Sequence, residues 1–118
     1  MNHIVSPDNS DAGIERDIQS KGLTGPRITP ADIEAMILAE QYHVFEGTTL
    51  TVCALTLLNG FQVTGESACA FPENFDAEIG RRISRENAKQ KIWTLMGYTL
   101  KQRLFEAELV IAIHKEAA

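Results

Sequence analysis

"YHVFEGTTLTVCALTLLNGFQVTGESAC", residues 42–69, is the stretch on which the fold turns. It is rich in Val, Thr, Leu and Phe, and turn residues interrupt it at Glu46-Gly47 and Asn59-Gly60, which is the pattern of short strands joined by tight turns. Asn59-Gly60 is the clearest hairpin signal in the chain, because both residues tolerate positive φ. A two-residue loop there pairs Leu58 with Phe61, Thr56 with Val63 and Ala54 with Gly65. Leu50, Val52, Ala54, Leu58, Phe61 and Val63 then share one face. The other face carries Thr49, Thr51, Cys53, Leu55, Leu57, Gln62, Thr64 and Glu66, and Leu55 and Leu57 imply some cover there too. With a short first strand at 42–46, the segment predicts a three-stranded antiparallel meander. In this register Cys53 and Cys69 lie about three residue pairs apart, roughly 10 Å along the ladder, too far for a disulfide.

Upstream, "ITPADIEAMILAEQY" (28–42) predicts a helix. Thr29 caps it, Pro30 suits its first position, and Asp32 completes a reciprocal cap. Ile28 and Ile33 have the spacing of a hydrophobic staple, and Ile33, Met36 and Ile37 follow the helical period. Residues 1–27 are polar and rich in Gly, Pro and Asp. They read as a flexible arm with at most a short helical turn around 13–20, leaving 28–118 as the domain.

Downstream, "FPENFDAEIGRRISRENAKQKIWTLMGYTLKQRL" (71–104) predicts a long helix, its start crowded with residues suited to the positive end of the dipole. An inward stripe runs Ile79, Gly80, Ile83, Ser84, Asn87, Ala88, Ile92, Leu95. Gly80, Ser84 and Ala88 are small and four apart, so another backbone comes close: the sheet, or a symmetry-related helix in a homo-oligomer. Gly97 is expected to bend or end the helix, at a cost of about 1 kcal/mol. The tail 106–118 is open between helix and strand. The fold class is therefore α+β: a short N-terminal helix, a three-stranded meander, and a long C-terminal helix packed on the sheet.

With 118 residues, there is room for one domain. No run reaches the roughly 20 apolar residues of a membrane span, and the N-terminus lacks the features of a secretion signal; the expected location is the cytoplasm. The net charge of −5 argues against general nucleic-acid binding. The charges are segregated, however. Residues 1–46 hold eight acids and three bases, whereas residues 79–103 hold seven bases and one acid.

Three segments, "GLTGPRITPADIEAMI", "GTTLTVCALTLLNGFQVTGESAC" and "NFDAEIGRRISRENAKQKIWTLMGY", together resemble the gene-49/gene-66-like family of small accessory proteins of tailed bacteriophages and prophages. Thr94 departs from the pattern, standing where the family has proline after the tryptophan. The resemblance implies a phage origin, expression in the cytoplasm of an infected bacterial host, and dispensability for building the virion. It carries no catalytic residues with it.

Candidates for chemistry are few. His3, His43 and His114 are not at metal-ligand spacing, no cofactor motif is present, and Cys53 reads as a small core residue. The basic helix is the strongest signal. Arg81 and Arg85 lie one turn apart, with Arg82 beside them, Lys89 a turn further on and Asn87 on the inward stripe. Guanidinium groups suit phosphate, and Trp93 and Tyr98 offer stacking surfaces. The bland alternative is a solvated charged face, or one that answers the acidic 32–46 region. The predicted ligand site is Arg81, Arg82, Arg85, Asn87, Lys89, Trp93 and Tyr98. The arginines are expected to converge with those of a neighbouring copy around a hollow that takes a small anionic nucleotide signal of host defence. A module that binds a host protein through the meander edge and the acidic arm is the second reading, and a nucleotide-processing enzyme the third. Duplex nucleic acid and membrane are not expected partners.

Overall fold

The computed structural model describes residues 7–117. Three α-helices and three strands follow in the order α1 (Asp11–Ser20), α2 (Pro30–Met36), β1 (Ile37–Val44), β2 (Leu50–Leu57), β3 (Gln62–Ala68) and α3 (Ala77–Ala117), with a single 3-10 turn, Pro72–Asn74, before α3. The strands form one antiparallel sheet in the order β1-β2-β3, and α3 lies across β2 and β3. The α+β architecture read from the sequence is the one observed. His3 lies outside the described residues.

The segment read as an arm holds a ten-residue helix. Ser10 starts α1 by accepting from the Gly13 amide at 3.1 Å, as a side-chain cap should. The cap on α2 forms as expected: Asp32 N donates to Thr29 Oγ1 at 3.2 Å, and Thr29 N donates to Asp32 Oδ2 at 2.9 Å. Ile33 is then fully buried, with Ile28 packed against the core. The helix nevertheless ends at Met36 rather than running to 42. Residues 37–44 pair with β2 instead, Ala39 opposite Thr56 through Val44 opposite Thr51. Leu38, Ala39, Glu40 and Gln41 are good helix formers, so the pairing is tertiary context overriding local preference.

The hairpin is also one residue off its expected register. Leu57 N donates to Phe61 O at 2.8 Å and Gly60 N to Leu57 O at 2.9 Å. The loop is Leu58-Asn59-Gly60, with Gly60 at φ 88°, the three-residue type that closes on a left-handed glycine. Phe61 N also donates to Asn59 Oδ1 at 2.9 Å. Cys53 therefore faces Gly65, and Leu55 faces Val63. Because side chains alternate, a one-residue slip exchanges the faces. Thr51, Cys53, Leu55 and Leu57 point into the core, while Leu58 and Phe61 stay exposed. Both cysteines are free.

α3 is a single 41-residue helix. Asp76 accepts from Ile79 N at 2.9 Å at its start. It passes through Gly97 without a break and includes the tail that was open between helix and strand. Gly80, Ser84 and Ala88 are buried, and the backbone they admit is the sheet. A Cβ on Gly65 would lie 2.2 Å from both Ala88 N and Ser84 O, and one on Gly80 would lie 2.8 Å from Thr51 Oγ1. The stripe is thus occupied within the chain, not left for a symmetry-related helix. Ile79, Ile83 and Leu95, expected to face inward, are 50%, 47% and 39% exposed. The core is Ile33, Cys53, Leu55, Leu57, Val63, Ala88 and Ile92.

Only the first half of α3 rests on the body. From Glu106 to Ala117 every residue is exposed. The radius of gyration, 19.6 Å, compares with about 13.5 Å for a compact chain of this length, so the end of α3 projects.

Candidate functional site

The first four turns of α3 hold five of the seven predicted site residues, and the fold sorts them into different environments. Arg85 points back over the sheet toward α2 and β1. Its Nη1 and Nη2 donate to the two carboxylate oxygens of Glu34 at 3.1 and 2.9 Å, and its Nε donates to Glu40 Oε2 at 2.8 Å. This is the planar fork engaged on two carboxylates. Lys89 is 8% exposed. Its Nζ sits 3.0 Å from Glu34, 3.2 Å from Glu86 and 3.8 Å from Asp11, which ties α1 to α3. Asn87 Nδ2 donates to the Glu66 carbonyl at 2.8 Å and holds the helix to β3. These three side chains are committed to the fold. The acidic 32–46 region does answer the basic helix, through Arg85 and Lys89.

The hydrogen bonds from Arg85, with Lys89 assisting, hold the Glu34 carboxyl down at about 2. Arg85 lowers Glu40 in the same way. Burial alone would lower Lys89, but Glu34 and Glu86 outweigh it and its pKa is raised. Tyr42 donates to Glu40 Oε1 at 3.1 Å; burial first, then its anionic neighbours, push its phenol up to about 12. Burial likewise raises the Cys53 thiol, which leaves it a poor nucleophile at neutral pH.

The network carries a pH signature. Glu34 has an ordinary value of 4.5 and a folded value of about 2. Its contribution is therefore complete above pH 4.5 and is lost as the pH falls toward 2. The Glu34 side chain is 48% exposed, so solvent screening limits this contribution to about 1 kcal/mol. Thermal melts between pH 6 and pH 2 should show Glu34→Gln less stable than the parent at pH 6 and indistinguishable from it near pH 2. A constant gap across that range would show that Glu34 does not titrate against Arg85.

Arg81 and Arg82 are different. Both are exposed, and among the described residues neither makes an ion pair. Arg82 lies with Ile79, Ile83, Arg85, Glu86 and Asn87 along an open surface depression. All six residues belong to α3, so this is one side of a helix and not an enclosed hollow. Trp93 lies elsewhere, in a cleft of about 250 Å³ with Ile14, Ile18, Ile28 and Pro30 between α1 and α3. Tyr98 is 72% exposed on the far side of Gly97. The seven residues do not converge in one chain. Glu34 and Glu40, which decide the fate of Arg85, lie 51 and 45 positions away, and only their excess of negative charge pointed to them.

Among the described residues no helix is long and apolar enough to cross a membrane, and no three His, Cys, Asp or Glu side chains group as metal ligands. The family model described as "Phage protein (N4 Gp49/phage Sf6 gene 66) family" matches residues 28–104. That is well over half of the chain, so the protein belongs to this phage family. No curated protein and no solved structure matches it.

Proposed function

We propose that this phage-family protein is a non-enzymatic binder acting in the cytoplasm of the infected host, where it sequesters a small anionic nucleotide signal of host defence. The observation that supports this reading is the pair Arg81 and Arg82, exposed and without carboxylate partners among the described residues, beside the exposed side chains of Ile79 and Ile83. Guanidinium forks suit phosphate, and the isoleucines suit the face of a base. One helix cannot enclose a ligand, so a second copy closes the site. Arg85 and Asn87 brace it from behind rather than reach the ligand.

Calorimetry with a panel of cyclic nucleotides and ADP-ribose derivatives tests the reading. Binding is expected with one of them, with the ligand recovered chemically intact after heat denaturation. Arg82→Glu should weaken it by at least about tenfold, the loss of one charge-assisted contact. Absence of heat with every member of the panel overturns the reading, and turnover of the ligand replaces it with an enzymatic one.

A second reading is a module that binds a host protein. The observation favouring it is β1, an edge strand in the order β1-β2-β3, with Leu38 64% exposed and Val44 39% exposed. A partner strand adds to such an edge. A stoichiometric host protein retained by the full chain, and released by proline substitution along β1, would favour this reading over the first.

A further inference from the structure

The projecting end of α3 is built to pair with itself. Trp93 and Met96 pack against the core, and the same stripe continues through Leu100, Leu104, Ala107 and Ile111 at spacings of three and four. Beyond Leu104 no described residue covers it. Phe105, Leu109, Val110, Ile111 and Ile113 are between 46% and 63% exposed. A helix end of this length is marginal in water without packing, and an apolar surface of this extent marks an interface. Where the stripe leaves the body there is a cleft of about 410 Å³, whose lining includes Ile28, Met36, Leu57, Phe61, Met96 and Leu100.

The charges select the occupant. Lys101 and Arg103 precede the middle of the tail, and Glu106 and Glu108 follow it. The order is self-complementary about the point between Leu104 and Phe105. Lys101 and Glu108 flank the stripe on one side, and Arg103 and Glu106 on the other, by the helical period. Two helices related by a two-fold axis and running in opposite directions place like flanks together. Lys101 then meets Glu108 of a second copy, and Arg103 meets Glu106, each twice. Leu100 then packs between Ala107 and Ile111 of the second copy. Among the described residues, Glu106 accepts only from Gln102, at 3.1 Å, and Lys101, Arg103 and Glu108 have no ion pair. A parallel pair would bring both bodies to the same end, on the side of the stripe that each body already fills.

We propose that a second copy of this chain occupies the tail, antiparallel, with the tip of each α3 seated in the cleft of the other protomer. This assembly is separate from the ligand reading above: it leaves Arg82 of the two copies about 70 Å apart at 1.5 Å per residue, so the copy that closes that site comes through another contact. A dimer that binds no nucleotide supports this proposal while sinking that reading, and a nucleotide-binding assembly that survives the tail substitutions does the reverse.

Light scattering on the full chain should give twice the 13.0 kDa of one copy. Ala107→Asp with Ile111→Asp, at exposed positions outside the core, should leave the circular dichroism unchanged and weaken dimerisation by at least about 100-fold. Lys101→Glu with Arg103→Glu should also be monomeric, and mixing it with Glu106→Lys/Glu108→Lys should restore a dimer. For orientation, a spin label is attached through Lys115→Cys in a Cys69→Ser background. The antiparallel pair separates the two labels by about 30 Å, against about 10 Å for a parallel one, at a rise of 1.5 Å per residue. A monomer at about 100 µM, weaker than any useful assembly, overturns the proposal. So does a dimer that survives the aspartate substitutions, or the short label distance.

Discussion

Gly65→Val is expected to leave the chain unfolded at 25 °C, and Gly65→Ala to lower its stability by about 4 kcal/mol, the range reached only by severe steric or packing defects. The reason is the identity of the atoms in the way. A Cβ at position 65 would lie 2.2 Å from Ala88 N and Ser84 O and 2.8 Å from Asn87 C. All three are backbone atoms of a regular helix, so no side-chain rotation relieves the clash. The helix would have to lift from β3 by more than an ångström. That would open the fit of Gly80 on Thr51 and strip cover from Cys53, Leu55 and Val63, all of them buried. Overpacking elsewhere typically costs about 1–3 kcal/mol because neighbours give way; here the neighbour is rigid. Urea titration of Gly65→Ala measures the effect. A loss under about 1 kcal/mol, the size of an ordinary substitution, would mean that α3 does not touch β3 at this point.

The second large effect contrasts two isoleucines on one helix. Ile92→Ala should cost about 3–4 kcal/mol, the loss of a buried side chain plus the cavity it leaves, because Ile92 is fully buried within the core cluster. Ile111→Ala, on the same helix at 57% exposure, should change the stability of the monomer by less than about 0.5 kcal/mol. Denaturant unfolding at low protein concentration separates them. Equal effects at the two positions would show that the far end of α3 folds back onto the body.

What could be read in the sequence divides by the range of the interaction responsible. The cap on α2 was legible because Thr29, Pro30 and Asp32 are neighbours and the bonds between them are local. The end of that helix was not. Residues 37–41 have helical composition, and only pairing with β2 makes them a strand. The hairpin was legible at Asn59-Gly60, but not its loop length. β2 carries apolar residues on both faces, Leu50, Val52 and Ala54 on one and Cys53, Leu55 and Leu57 on the other, so its alternation could not arbitrate. The glycine opposite Cys53 was the unused clue, since a close-packed helix needs a missing Cβ beneath it. At the candidate site, the arginine run was plain but its division was not. Arg85 and Arg82 look alike in the sequence, and only the position of α2 and β1 sends one to Glu34 and Glu40 while leaving the other in solvent.

The uninterrupted course of α3 has a mechanical consequence. The rod is gripped where glycine, serine and alanine let it sit hard on the sheet, and about 45 Å of it extends past Ala88 at 1.5 Å per residue. A tilt of about 5° at the grip sweeps the far end through roughly 4 Å over that length, enough to slide one leucine past the next. A disturbance too small to register beside Gly65 would arrive at Ile113 as a full step, so the seat of the rod and the reach of its tip behave as the short and long arms of a lever.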